Sequence, residues 1–157
     1  MTAQYSGLIL LIPLVVLITE DFRSHAVTLV WLIVLAALSV AVSLYTNGLW
    51  KMLANVASNL FLLLYMGIGI LIYIRIRRRR WINPLREHIG SGDVVFLAAI
   101  TPLFDLYGYL LFLICAFVFS LLWVAVIRRA RGSMRTIPLA ATTGIALCVT
   151  IIINIFQ

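Results

Sequence analysis

Two aspartates carry the chemistry that this sequence offers. Asp21 follows the first apolar segment after Glu20, and Asp93 ends the sequence Gly90-Ser91-Gly92-Asp93 at the start of another apolar segment. Two carboxylates that share one site cannot both ionise freely, so one can keep a proton to donate while the other activates a water molecule. Such a pair can hydrolyse a peptide bond without a metal ion or a covalent nucleophile.

Each aspartate also has a structural interpretation. Asp93 could cap a helix that begins at Val94, because aspartate is a favoured N-cap residue, and Asp21 could form a local ion pair with Arg23. Either aspartate taken alone favours these roles, but two at comparable positions favour the catalytic hypothesis. The alternative is a non-enzymatic transport or assembly protein that binds a cation or protons at Asp21 and Asp93.

The neighbours of the two aspartates complete the candidate site. Glycines give the backbone conformational freedom and let another chain approach closely. The residues expected to bind or position a substrate are Glu20, Arg23, Gly90 and Gly92. The two histidines are not at the spacing of a metal site, and no phosphate-binding or dinucleotide-binding motif occurs. We therefore expect neither a metal nor a cofactor.

The composition is that of a membrane protein. Of the 157 residues, 64% are hydrophobic and 11% are charged, with a mean hydropathy of +1.15. The net charge of +7 comes from basic residues in short loops, which indicates contact with anionic lipid headgroups rather than nucleic acid. Cys115 and Cys148 lie within apolar segments and are expected to be buried. Without repeats, residues 1–157 are expected to form a single membrane domain.

Six apolar segments predict an all-α protein with six transmembrane helices. The segments are 5–19, 26–45, 56–74, 94–104, 106–127 and 137–156. The first is shorter than the ~20 residues that cross a bilayer, so its helix is expected to continue through Phe22. The fourth, at ~11 residues, is either a partial span or begins earlier, within the preceding loop. Thr46-Asn47-Gly48 is expected to end the second segment, and Gly67 and Gly69 to allow close helix contact in the third.

The basic residues orient these six segments. Eleven of the twelve Lys and Arg residues fall on one side, and only Lys51 falls on the other. The positive-inside rule makes the first side the cytoplasm and places both termini outside. Asp21 and Asp93 are then at the cytoplasmic boundary of the membrane, and Asp105 is at the opposite boundary.

Three segments of the chain resemble type IV prepilin peptidases. The segment 21–27, Asp-Phe-Arg-Ser-His-Ala-Val, resembles the family's Asp-X-Arg-X-X-X-Ile-Pro motif, and Gly90-Ser91-Gly92-Asp93 resembles its Gly-X-Gly-Asp motif. The segment 135–140, Arg-Thr-Ile-Pro-Leu-Ala, resembles the start of the family's last helix. Val27-Thr28 stands where Ile-Pro is usual, and Val95 stands where a lysine is common, which affects the expected substrate preference.

The resemblance implies a membrane aspartic protease in the inner membrane, with Asp21 and Asp93 as its catalytic residues. Such a protease removes the basic leader peptide of type IV pilin-like precursors at the cytoplasmic face, in pilus assembly and secretion. Larger members also methylate the new N-terminus through an added cytoplasmic region with a Cys-rich motif. Nothing in this sequence corresponds to that region, so the resemblance implies peptidase activity without methylation.

Overall fold

A computed structural model of the protein describes residues 6–24, 28–78, 91–131 and 139–156, and these residues are almost all helical, with no strand among them. The helices are α1 (Leu11–Ser24), α2 (Leu29–Arg78), α3 (Ser91–Ala99), α4 (Leu106–Arg131) and α5 (Leu139–Phe156), with 3₁₀ helices at Ser6–Leu10 and Thr101–Leu103. This confirms the expected all-α class. The loop 79–90, with Gly90 and His88, and the segment 132–138 lie outside the described residues.

The first helix continues past the apolar segment, as expected from the length of that segment. It runs to Ser24 and therefore includes both Glu20 and Asp21. The residues before Leu11 form a 3₁₀ helix that packs against α1, α2 and α5. Asp21 consequently lies in the last turn of a helix rather than in a loop.

The break expected at Thr46-Asn47-Gly48 is present, but it is a single non-helical residue and not the expected longer connection up to residue 55. Thr46, Asn47 and residues 49–55 are helical, and only Gly48 leaves the helix, at φ 75° and ψ 168°. This backbone conformation is accessible essentially only to glycine. Gly48 alone therefore forms the connection between the two apolar segments, for which the sequence predicted residues 46–55.

The bend at Gly48 brings both halves of α2 to the same segment. Ser43 Oγ donates to the Pro102 carbonyl at 2.6 Å, and Asn59 Nδ2 donates to the Thr101 carbonyl at 2.9 Å. In a straight helix these two side chains would be about 24 Å apart along the axis. Residues 29–47 and 49–78 are therefore two arms that converge on residues 101–104.

The fourth apolar segment is a short helix that ends inside the protein. It begins at Ser91 rather than at Val94, and α3 is nine residues long. Five carbonyl groups at its end accept side-chain hydrogen bonds, namely those of Leu97, Ala98, Thr101, Pro102 and Phe104. The donors are Tyr109, Thr101, Asn59 and Ser43. Because these carbonyls are satisfied within the protein, the segment does not need to reach the far membrane surface.

The last two apolar segments are helices close to their expected positions. α4 begins at Leu106 as expected and ends at Arg131, four residues beyond Ile127. Asp105 caps it, because its Oδ1 accepts from the Gly108 N–H at 3.2 Å. α5 runs to Phe156, and its first described residue is Leu139.

All five helices contribute to one apolar core. Its buried members include Leu14 and Leu17 from α1, Leu35 from α2, Phe96 from α3, Leu113 from α4 and Leu147 from α5. Outside this core, large apolar side chains remain exposed, such as Phe61 at 71% and Leu121 at 69%. Cys115 is also exposed, so its expected burial is wrong, whereas Cys148 is half-buried.

Among the described residues, two helices are long and apolar enough to cross a membrane. They are α2, over Leu29–Ile76, and α4, over Leu106–Val126, and α3 and α5 contribute shorter apolar stretches. A soluble protein rarely exposes apolar surface of this extent. Length, composition and exposure together favour a membrane protein.

Candidate functional site

Asp21 is buried at the junction of α1 and α5. Its side chain is only 6% exposed, and its Oδ2 accepts a hydrogen bond from the Ala141 N–H at 2.7 Å. Ala141 is the third residue of α5, and the first four N–H groups of a helix have no partner within it. The carboxylate therefore satisfies a helix end that would otherwise be a buried unpaired donor, at a position where a negative charge is favoured.

Close packing of α1 on α5 makes this contact possible. A Cβ atom on Gly144 would lie 2.8 Å from Ile18 Cγ1, which is shorter than real Cβ contacts. A Cβ on Gly7 would lie 3.4 Å from Ile151. Residue numbers rise along α1 as they fall along α5, so the two helices are antiparallel and Asp21 meets the first turn of α5.

Glu20 connects α1 to the start of α2. Its Oε2 accepts from the Thr28 N–H at 3.2 Å, and the Thr28 carbonyl accepts from the Trp31 N–H in the first turn of α2. The described contact therefore positions a helix junction, and a contact of Glu20 with substrate stays a prediction. Arg23 also lies on α1, but its side chain is outside the described residues.

Asp93 occupies the first turn of α3. It is half-buried and is the third residue of this helix, so the expectation that it would precede a helix starting at Val94 is wrong. Gly92 is the second helical residue, and it does not use the left-handed conformations that its lack of a Cβ permits. Close approach of a substrate to Gly92 stays a prediction, and Gly90 lies outside the described residues.

Contacts with α2 relate the helices that carry the two aspartates. The Glu20–Thr28 contact places the start of α2 beside the end of α1, and α2 then runs away from this end toward Gly48. The bond from Ser43 to Pro102 holds the end of α3 near Gly48. α3, which carries Asp93, contacts both α2 and α5, and the proximity of Asp93 to Asp21 stays a prediction. Asp105 follows the 3₁₀ helix at the opposite end.

Two groups of buried polar residues were missed by the sequence analysis. Ser120 on α4 and Thr142 on α5 are both buried, and their hydroxyl oxygens lie 2.6 Å apart. The second group lies on the two arms of α2 and consists of Ser39, Ser43, Asn55 and Asn59. The second group could have been found from the sequence, because polar residues recur four positions apart within the apolar segments of each arm. Polar side chains inside a membrane protein must find hydrogen-bond partners within the protein.

Within the described ranges, no group of three His, Cys, Asp or Glu residues could hold a metal ion. Comparison with known proteins finds no matching family model, no matching curated protein and no matching solved structure.

Proposed function

We propose that this protein is a membrane aspartic endopeptidase that cleaves the basic leader peptide from type IV prepilin-like precursors. Asp21 and Asp93 are its catalytic pair. The ionised carboxylate of the pair takes a proton from the attacking water, and the protonated carboxyl group donates a proton to the leaving amine. No cofactor is needed for this reaction, and no methylation of the product is expected.

One observation carries this proposal. The described residues in or directly beside the three segments that resemble prepilin peptidases are distant in the sequence, yet they belong to helices that contact one another. Asp21 from the first segment binds the N–H of Ala141, directly after the third segment, and α3, which carries Asp93 from the second, packs on the same α5 helix. A capping role alone for each aspartate would not require these contacts.

The proposed enzyme crosses the inner membrane six times, with both termini outside. The two arms of α2 count as separate spans in this arrangement, and α3 with residues 100–104 forms the fourth, shortened span. The distribution of arginines supports it, since the described arginines of α2 and α4 lie at the C-terminal ends of these helices. The catalytic pair then faces the cytoplasm, where a precursor presents its leader.

A second candidate function is cation or proton transport through Asp21 and Asp93. The observation that favours it is the break after α3, because transporters often bind ions at the ends of discontinuous helices. However, the carbonyls at this break already accept hydrogen bonds from Ser43, Asn59, Thr101 and Tyr109. They are engaged in packing rather than presented to an ion, which favours the protease.

The proposal is tested by co-expression with a type IV prepilin-like precursor from the same genome. Wild-type protein should produce the shorter, leaderless pilin, seen as a mobility shift. Asp21→Asn and Asp93→Asn should each abolish this shift while the variant protein still inserts into the membrane, because asparagine keeps the shape but cannot exchange the proton. The double variant should be no worse than either single variant, since groups that act as one unit are not additive.

Asp105→Asn is the matched control. Asp105 is exposed and caps α4, and asparagine is an equally good N-cap, so cleavage should continue at the wild-type rate. Cleavage at the wild-type rate by either of the other two variants would exclude the two-aspartate mechanism. If wild-type protein cleaves no precursor but carries a proton or cation flux that Asp21→Asn and Asp93→Asn abolish, the transport alternative would be favoured.

A further inference from the structure

We infer that Ser120 and Thr142 are positioning residues for Asp21. The predicted effect on kcat rests on the proposed function. The predicted effect on the position of the Ala141 N–H rests on the observed contacts alone. The starting observation is that Thr142 directly follows Ala141, the residue whose N–H binds the Asp21 carboxylate. Whatever holds Thr142 in place also holds that N–H.

Thr142 is tied to α4 through one short hydrogen bond. Its Oγ1 lies 2.6 Å from Ser120 Oγ, and Ser120 Oγ in turn lies 2.8 Å from the Ala116 carbonyl of its own helix. A hydroxyl has one proton, so when Ser120 donates to Ala116, Thr142 donates to Ser120. Both side chains are buried, and water does not compete for this bond.

The first turn of α5 needs such an attachment. The end of a helix has fewer internal hydrogen bonds than its middle, and local opening begins at such ends. Asp21 reaches this turn from α1, and Ser120 reaches it from α4. The turn is therefore held from two sides, and release on the α4 side would let the Ala141 N–H move away from the carboxylate.

Removing the Thr142 hydroxyl should affect the reaction more than the fold. Thr142→Val keeps the shape of the side chain and removes only the hydroxyl. We expect kcat for precursor cleavage to fall about tenfold, with KM changed less than about twofold, since a misplaced catalytic group loses transition-state stabilisation rather than binding. Thr142→Ser, which keeps the hydroxyl, should recover the rate to within about twofold of wild type.

Thr150→Val is the control on the same helix. The Thr150 hydroxyl donates only to the Ala146 carbonyl of α5, so its removal should leave kcat unchanged. Ser120→Ala removes the hydroxyl that Thr142 binds on α4, so it should lower kcat as Thr142→Val does. It tests the same hydrogen bond if Thr142→Val fails to fold. A wild-type kcat in Ser120→Ala, or no recovery in Thr142→Ser, would overturn the inference.

A second measurement does not depend on proteolysis. Hydrogen exchange of the peptide that covers residues 139–143, followed by mass spectrometry, should be faster in Thr142→Val than in wild type and in Thr150→Val. Equal exchange in all three would overturn the positioning role. If wild-type protein cleaves no precursor but the exchange difference is found, the proposed function fails and the positioning of Asp21 stands.

Discussion

At the scale of single residues, a few buried polar side chains decide how the chain ends its helices. Asn59 is the clearest case, because its Nδ2 donates to two carbonyls, Thr101 at 2.9 Å and Phe104 at 2.8 Å. These carbonyls lie in the 3₁₀ helix Thr101–Leu103 and at Phe104 directly after it, beyond the last turn of α3. Asn59 is fully buried, so no solvent replaces its amide.

Replacing Asn59 with leucine should therefore destabilise the protein. Two carbonyls lose their donor, and each unsatisfied buried group costs about 1–3 kcal/mol, so we expect the free energy of unfolding to fall by about 2–4 kcal/mol. The measurement is a denaturant titration of the purified protein in detergent micelles. Ser58→Ala is the neighbouring control: its hydroxyl bonds only to carbonyls of its own helix, and its removal should change stability by less than about 0.5 kcal/mol. Equal stability of the two variants would contradict this role of Asn59.

At the scale of elements, the bend in α2 determines how the bundle is assembled. A single non-helical residue, Gly48, separates two apolar arms, and both arms contact residues 101–104. The close contact between helices, by contrast, lies at Gly144 of α5. Gly67 and Gly69 face open space, so their expected role in close helix contact is wrong.

Alanine substitutions should have opposite effects at two glycines of α2. Gly48→Ala places a Cβ in a conformation reserved for glycine, at a cost of about 1–3 kcal/mol. Gly67→Ala adds a Cβ that meets nothing within 4 Å, and it should raise stability by up to about 1 kcal/mol, because alanine favours the helix. Thermal unfolding in detergent measures both changes. A Gly48→Ala variant at least as stable as wild type would show that the bend does not depend on the left-handed φ.

At the scale of the whole molecule, the positions of the basic residues bear on the proposed orientation in the membrane. Among the described residues, the arginines lie at the C-terminal ends of three helices: Arg23 on α1, Arg75, Arg77 and Arg78 on α2, and Arg128, Arg129 and Arg131 on α4. Lys51 lies three residues after Gly48, at the bend of α2. The membrane potential and the positive-inside rule thus act on helices whose two ends already differ in charge.

Cysteine labelling tests this orientation directly. In a background with Cys115→Ala and Cys148→Ala, Trp50→Cys should react with a membrane-impermeant thiol reagent added to intact spheroplasts, since Trp50 is 84% exposed and adjoins the bend. Arg131→Cys should react only after lysis. Labelling of position 50 only after lysis would break the six-span arrangement, and with it the cytoplasmic placement of both aspartates.

The sequence alone determined the class of the protein and its candidate chemistry. Apolar segments predict helices because desolvation acts on each segment locally, so the all-α class and the positions of α1, α4 and α5 follow without knowledge of neighbours. The basic loops and the two candidate catalytic residues, Asp21 and Asp93, can likewise be identified from the sequence alone. The Gly-X-Gly-Asp motif placed Asp93 near a helix start, although the helix begins two residues before it.

Only the tertiary structure decided which groups meet. The bond between Asp21 and Ala141 joins residues 120 positions apart, and no local pattern encodes it. It depends on Gly144, where the missing side chain lets Ile18 and its helix come close. In the same way, α3 can be short because Ser43, Asn59 and Tyr109 satisfy its carbonyls from other helices. Helix formation is a local property of the chain, whereas the satisfaction of buried polar groups depends on the whole packed bundle.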